Sequence, residues 1–263
     1  MDILEKIIAA KRSEVARQKE AVNTEMLLDA EQMLRHPVSI SQALTASATG
    51  IIAEFKRCSP SKGRIHGDAR IEDIVPVYEQ SGASAISILT DEPFFGGSAA
   101  DFCHARQLVS CPLLRKEFII DEYQIIQSRA MGADAILLIA AALTQEQCRR
   151  FVQLAHELSL EVLLEIHSEP ELEYMACGTD MIGVNNRNLG TFVTDVENSF
   201  RLVEKLPQNI VRVSESGISS PKTVAQLRQA GYNGFLMGEN FMKEPHPGDA
   251  LKQFIVQLNS SQL

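Results

Sequence analysis

Gly132-Ala133-Asp134-Ala135-Ile136-Leu137-Leu138-Ile139 is the stretch that decides the fold. From Ala135 to Ile139 every residue is apolar, so a strand built from them has no face to offer water. A short run of this kind fits a strand covered on both sides, as in a parallel sheet. Gly132 stands just upstream, where a preceding helix must stop. A glycine past a helix end can take the left-handed conformation and turn the chain into the next strand. The same order of glycine, short polar link and apolar run recurs at Gly82-Ala83-Ser84-Ala85-Ile86, Gly178-Thr179-Asp180-Met181-Ile182 and Gly231-Tyr232-Asn233-Gly234-Phe235. Helical spacing precedes these glycines, as at Val224 and Leu227 before Gly231. The repeating unit is therefore a strand followed by a helix with short connections.

Working outward, eight apolar runs follow one another: 51–53, 85–89, 112–114, 135–139, 162–164, 181–184, 210–213 and 235–237. Eight such units predict an α/β chain folded as a (β/α)8 TIM barrel, with an open doubly wound sheet as the alternative. The barrel is expected over residues 49–263. Residues 1–48 carry no strand signal and read as an N-terminal helical extension packed on it. Ile3, Leu4, Ile7 and Ile8 recur at helical spacing, and a second helical stretch near Met26–Leu34 stops before His36-Pro37.

Composition narrows the function classes. The chain has 263 residues and a formal net charge of −9, which argues against nucleic-acid binding. It does not exclude an anionic small molecule, because a few lysines focused in a cleft outweigh a distant acidic surface once salt screens the far charges. No apolar stretch approaches the roughly 20 residues of a membrane helix, and Met1-Asp2-Ile3-Leu4-Glu5-Lys6 does not resemble an export signal. Five cysteines, Cys58, Cys103, Cys111, Cys148 and Cys177, form no Cys-x-x-Cys pair. They read as structural thiols of a cytoplasmic protein.

Charge gathers at the C-terminal ends of the apolar runs. Glu54 and Lys56, Lys116, Glu165, Asn185 and Glu215 each follow a run. One polar strand end means little, since strands become polar where they leave the core. Five with both signs of charge point to chemistry at the rim where barrel enzymes keep their active sites. Glu54 and Lys56, two residues apart, share a face of their strand. Ser214-Glu215-Ser216-Gly217-Ile218 and Gly238-Glu239-Asn240 follow the last two runs, and Ser220-Pro221 reads as a helix N-cap. Backbone N–H groups freed by glycine, near a helix N-terminus, suit a phosphate. The acidic Glu215 and Glu239 then need neutralisation or a separate role. His167 reads as the start of a loop, and the remaining histidines have no partners at metal-ligand spacing. No metal or cofactor is expected.

At these residues the sequence resembles the indole-3-glycerol phosphate synthase family. The stretch Ile51 to Gly63 is similar to the family's most diagnostic motif. Leu89-Thr90-Asp91 with Phe94-Phe95-Gly96-Gly97-Ser98, Leu114-Arg115-Lys116-Glu117-Phe118, Glu165-Ile166-His167, Asn185-Asn186-Arg187-Asn188-Leu189 and Ser214 to Ile218 follow in order. The resemblance implies a lyase of tryptophan biosynthesis. It would convert 1-(2-carboxyphenylamino)-1-deoxyribulose 5-phosphate to indole-3-glycerol phosphate by ring closure, decarboxylation and dehydration. It assigns Lys116 as general acid on the carbonyl, and Glu165 to developing charge on the ring nitrogen and to proton transfer. Lys56 would hold the departing carboxylate and, with Glu54, serve dehydration. Asn185, Arg187 and Glu215 would orient hydroxyls. Ser216, Gly217, Gly238 and Glu239, helped by Ser59, would cradle the phosphate, and Phe95 and Phe118 would wall the aromatic ring. A monomer acting on a small anionic sugar phosphate is expected, with room for a pathway-enzyme partner.

A free lysine, with a pKa of about 10.4, is a weak acid at neutral pH. Burial or a neighbouring cation would correct this, so mutual depression of Lys56 and Lys116, offset by Glu54, is expected. Three readings remain open beside the leading one: a phosphoribosylanthranilate isomerase-like barrel, a Schiff-base aldolase and a non-catalytic ligand-binding barrel.

Overall fold

The computed structural model describes residues 3–188 and 190–260. Met1 and Asp2, from the segment read for an export signal, and Leu189, which ends the asparagine-rich motif, lie outside the described residues. Eight parallel strands close into a barrel: β1 Ile51–Phe55, β2 Ala85–Leu89, β3 Leu113–Lys116, β4 Ala135–Ile139, β5 Glu161–Ile166, β6 Met181–Asn185, β7 Val211–Glu215 and β8 Gly234–Met237. Each pairs with its sequence neighbour, and β1 pairs with β8 through Ile51 opposite Phe235. The open-sheet alternative is thereby excluded. The eight apolar runs and the eight strands coincide apart from their ends.

Helices α1 Ile3–Ala21, α2 Thr24–Leu28 and α3 Ile40–Ala46 precede the barrel. The stretch read as one helix near Met26–Leu34 is two pieces, α2 and a 3-10 turn at Glu31–Leu34, because Asp29 and Ala30 leave the helix. Around the barrel run α4 Ile71–Gln80, α5 Glu92–Phe95, α6 Ala99–Leu108, α7 Glu122–Ala130, α8 Gln145–Glu157, α9 Glu197–Val203, α10 Pro221–Ala230, α11 Glu239–Met242 and α12 Pro247–Ser260. After β5 the expected helix is replaced by 3-10 turns over Glu169–Cys177. A small antiparallel hairpin, Cys58–Ser59 with Gly63–Arg64, follows β1 and was not anticipated. Gly82, Gly132, Gly178 and Gly231 all take positive φ, as the glycine repeat requires.

Side-chain alternation divides the core in two. Outward residues such as Ile86, Ile136, Leu164 and Ile182 pack under the helices. Inward residues, among them Ile52, Leu114, Leu137, Leu163, Met181 and Val213, fill the barrel. The N-terminal extension spans the barrel from rim to base. Leu4 and Ile7 of α1 join the inward cluster beside Phe118, and Ile40 and Leu44 of α3 join it at the other end. Between them α2 and the 3-10 turn pack on α7. The base is fastened by Asp134, fully buried before β4. Its carboxylate accepts from Arg35 Nη2 at 2.6 Å, Val38 N at 2.7 Å, Arg106 Nη1 at 2.8 Å and Leu113 N at 2.7 Å. Among the described residues no helix is long and apolar enough to cross a membrane.

The turn into β1 depends on Gly50, at φ +62°, where a Cβ would lie 2.1 Å from the Asn233 carbonyl oxygen. That obstacle is backbone and cannot rotate away. Gly50→Ala is expected to lower unfolding stability by more than about 2 kcal/mol in a urea titration, through both strain and collision.

Candidate active site

Inward alternation carries polar residues to one end of the barrel. Glu54 and Lys56 continue the inward phase of Ile52, Lys116 that of Leu114, Glu165 that of Leu163, Asn185 that of Met181, and Glu215 that of Val213. Each is the last inward position of its strand or the next beyond it. Glu54, Lys56, Lys116, Glu165 and Asn185 line a single cavity of about 610 Å³ at the C-terminal rim, while Glu215 is fully buried and reaches it only through its contact with Lys116. Ser59, Phe95, Phe118, Arg187, Ser216, Gly217, Gly238 and Glu239 line it too, so every residue singled out in the sequence except Glu215 faces the same space. A size of this order suits a small organic ligand.

At the centre stands Lys116. Its Nζ lies 2.7 Å from Glu215 Oε2, 3.6 Å from Glu165 Oε2 and 3.7 Å from Glu54 Oε2. Lys56 Nζ meets Glu54 Oε1 at 2.5 Å. These distances correct the expected depression of Lys116. Burial alone would lower its pKa, but Glu215, then Glu165 and Glu54, over-compensate and hold it above the ordinary lysine range. The three carboxylates thus favour the ammonium form of Lys116, and the second lysine nearby is already paired with Glu54.

The carboxylates titrate in different directions because their neighbours differ. Burial favours the neutral form of Glu54, but Lys56 and Lys116 pull its pKa below normal. Glu165 is held low against burial by Lys116 and then His167. Glu215 goes the other way: burial dominates, Glu165 repels, and its pKa rises to about 7 despite Lys116. His167 proves more than a loop start. Its Nε2 lies 3.2 Å from Glu165 Oε1 and its Nδ1 3.5 Å from Glu171 Oε2, off hydrogen-bond geometry but close enough for charge attraction. Burial opposes its charge, yet the two glutamates raise its pKa to about 10.

Gly183 makes room for this arrangement. It sits at an inward position of β6, and a Cβ there would fall 2.1 Å from Glu215 Oε1. Glycine inside a strand often marks such a close approach, and that signal was available in the sequence. Gly183→Ala is expected to displace the Glu215 carboxylate from Lys116 and to reduce turnover about tenfold, with thermal stability changed far less; steady-state kinetics beside a melting curve would check this.

A second group of cations, Arg187 and Lys62, also lines the cavity. Arg187 donates to Ser61 Oγ at 2.8 Å and Glu239 Oε2 at 3.1 Å, and Lys62 Nζ lies 3.4 Å from Glu239 Oε1. Glu239 is thus neutralised by two cations, as Glu215 is by Lys116. Ser216, at φ +67°, and Gly217, at φ +75°, turn the chain sharply out of β7. A non-glycine residue there is strained, a feature that tends to persist at functional loops. Ser220 caps α10 by accepting from Thr223 N, as read from the sequence. Gly238 has a further task, since its missing Cβ leaves space for Glu54 Oε1, 2.4 Å from where a Cβ would stand. Lys62, Lys243, Ser61, Thr194 and the α1 residues Ile3, Leu4 and Ile7 also line the cavity and were not singled out. Hydrophobic spacing marked the α1 residues as apolar, but nothing local says which apolar residues face a ligand. Phe95 and Phe118 pair with ring centroids 5.9 Å apart along one wall.

A closed barrel with a half-buried ammonium, two carboxylates and a cationic flank around one rim cavity, and a third carboxylate behind the ammonium, defines an acid–base barrel enzyme for an anionic ligand. The chain belongs to the indole-3-glycerol phosphate synthase family, whose sequence profile matches residues 4–254. An indole-3-glycerol phosphate synthase of Bacteroides thetaiotaomicron is 60% identical over 254 residues, which cover 97% of this chain and 98% of that one. One of Neisseria meningitidis is 48% identical over 247 residues, covering 92% and 95%. Solved structures support the fold alone. A mutant tryptophan synthase α-subunit from Pyrococcus furiosus superposes with a TM-score of 0.61 at 13% identity, over 81% of this chain and 98% of that one. A thiamine phosphate pyrophosphorylase from the same organism gives 0.59 at 16% identity, over 80% and 95%.

Proposed function

We propose that this chain closes the indole ring of indole-3-glycerol phosphate in tryptophan biosynthesis, with loss of carbon dioxide and water from the carboxyphenylamino deoxyribulose phosphate. The observation that carries the reading is Lys116 Nζ held by Glu215, Glu165 and Glu54, with Lys56 on Glu54, over one enclosed cavity.

As the ring carbon attacks the carbonyl, negative charge develops on oxygen. Lys116 neutralises it and delivers a proton. Its raised pKa is no obstacle, because a full alkoxide is nearly as basic as hydroxide, whose conjugate acid has a pKa of about 15.7. Glu165, kept ionised by Lys116 and His167, faces the positive charge on the ring nitrogen and assists proton transfer. Lys56 holds the substrate carboxylate until decarboxylation restores electrons to the ring. The Lys56–Glu54 pair then serves dehydration, in which the hydroxyl takes up a proton and leaves as water while the neighbouring CH2 carbon next to nitrogen gives up a proton to form the ring double bond. Asn185 and Arg187 orient the chain hydroxyls, and Glu215, behind the cavity wall, acts on them by holding Lys116. Ser59, Ser216, Gly217, Gly238 and Glu239 surround the phosphate, with backbone groups as donors and Arg187 and Lys62 offsetting Glu239. Phe95 and Phe118 wall the aromatic ring. The reading has the chain working as a cytoplasmic monomer on a free small anion, with no nucleic acid or membrane involved.

The test is an assay for indole fluorescence on addition of the carboxyphenylamino sugar phosphate. Product formation is expected, with no covalent adduct in the protein mass after borohydride treatment in the presence of substrate. Isomerisation of a phosphoribosyl arylamine without indole, a covalent adduct trapped by borohydride, or product binding without turnover would each overturn the reading in favour of one of its rivals.

A further inference from the structure

Lys11 is the most deeply buried cation outside the cavity, 1% exposed in the middle of α1. A lysine there must be matched by charge, since an isolated buried ammonium is strongly unfavourable. Its Nζ reaches three carboxylates on three elements: Glu14 Oε2 at 2.8 Å on α1 itself, Asp91 Oδ2 at 2.9 Å after β2, and Glu117 Oε1 at 3.0 Å after β3. Asp91 and Glu117 are each 1% exposed at the side chain, so little water screens one from the other.

Glu117 lines the cavity itself, and Asp91 stands next to residues that do. Asp91 caps α5 by accepting from Phe94 N at 2.8 Å, and α5 carries Phe95. Glu117 lies between Lys116 and Phe118 and accepts from Phe118 N at 2.8 Å. Its other oxygen takes the Thr90 hydroxyl at 2.7 Å, with Arg115 Nη2 at 3.7 Å. The ends of β2 and β3 therefore present two like charges to each other, and the ammonium that reconciles them comes from the N-terminal helix.

We propose that Lys11 is a positioning residue: by bridging Asp91 and Glu117 it draws the ends of β2 and β3 together under α1 and so sets Lys116 and the Phe95–Phe118 wall in register. The proposal rests on the function given above only for its effect on turnover; the clamp itself is independent of it. Lys11 touches neither the cavity nor any reacting atom. Its removal acts through the repulsion it leaves behind.

The experiment compares wild type, Lys11→Met, the double variant Lys11→Met/Asp91→Asn, and Tyr123→Phe. Asparagine is as good an N-cap as aspartate, so α5 keeps its cap while the repulsion disappears. Tyr123 anchors the far end of α1, donating to Gln18 O at 3.2 Å and Val22 O at 2.9 Å, and its loss loosens the helix without touching the two carboxylates. Hydrogen exchange of peptides covering 89–96 and 116–121 reads the clamp directly. Turnover of the carboxyphenylamino sugar phosphate reads its consequence.

Lys11→Met is expected to speed exchange in both peptides and to lower kcat about 10- to 100-fold, the range that a misplacement near 1 Å produces. KM should rise less. The double variant should recover both protection and most of kcat, and Tyr123→Phe should stay within about threefold of wild type. Exchange unchanged in Lys11→Met, or no recovery on adding Asp91→Asn, overturns the proposal and leaves Lys11 as a plain anchor for α1. Lys11→Gln takes the place of Lys11→Met, with the same readings, where the methionine variant does not fold. A wild-type protein that forms no indole sinks the functional reading, while the exchange results still decide the clamp.

Discussion

Replacing Lys116 by methionine is expected to lower kcat by about 10²–10⁴-fold while binding of the product changes by only a few-fold. Loss of one well-placed acid–base group has effects of this size, equivalent to about 3–5 kcal/mol of transition-state stabilisation. Methionine matches the length and apolar stem of lysine, so the wall of the cavity is kept. What disappears is the charge that three carboxylates share at 2.7, 3.6 and 3.7 Å. Without it Glu54, Glu165 and Glu215 face one another, and protons will be taken up to relieve the repulsion. The variant should therefore be least stable relative to wild type at alkaline pH and approach it as pH falls. Steady-state assay by indole fluorescence, with a product titration, checks the kinetic part. Near-wild-type turnover with normal binding would remove Lys116 from the role of acid.

Glu215→Gln should trade activity for stability. The carboxylate holds Lys116 at 2.7 Å, and the amide cannot do so with charge, so kcat is expected to fall about 100-fold. Stability should move the other way. The folded-state pKa of Glu215 is raised from 4.5 to about 7. Its neutral form is the one the fold prefers, so ionisation removes stability progressively as pH rises from about 4.5 through about 7. A tenfold change in proton affinity is worth about 1.4 kcal/mol, which makes the whole effect roughly 3 kcal/mol. Glutamine mimics the neutral form at every pH. The variant should match wild type near pH 4, gain on it through neutrality and hold a constant advantage above pH 8. Urea unfolding across that range measures the difference. In wild type the acid limb of kcat/KM should fall near the same pKa, and the variant should lack it. A variant less stable than wild type at pH 8 would mean that the Lys116–Glu215 attraction outweighs the burial of Glu215.

The barrel was legible because its signal is local and repeated. Each strand is apolar on both faces, and each glycine that precedes one sits where only a positive φ can turn the chain. The rim residues were legible for a related reason. In a parallel barrel the strand ends meet on one side, so polar residues that interrupt five runs at the same relative place must converge. The small hairpin after β1, the 3-10 turns in place of a helix after β5 and the division of the helix near Met26–Leu34 left no such mark, because each depends on a few residues with weak preferences.

The field around Lys116 shows where local reading stops. Sequence places Glu54 beside Lys56 on one strand, and from that neighbourhood a lowered lysine pKa is a fair expectation. The outcome is the reverse because Glu165 and Glu215 come from strands 49 and 99 residues further along the chain from Lys116, and electrostatic energy falls with distance in space rather than in sequence.

The amino-acid order alone determined the eightfold strand–helix alternation, the strand ends that carry the polar groups and the identity of the principal rim residues, since periodicity and strand-end polarity are properties of neighbours along the chain. Tertiary structure decided which carboxylate meets which ammonium, that Glu215 is raised while Glu165 is lowered, that Gly183 and Gly238 leave space for glutamates, and that a lysine of the first helix ties two strand ends together. Those are sums over groups brought close only by folding.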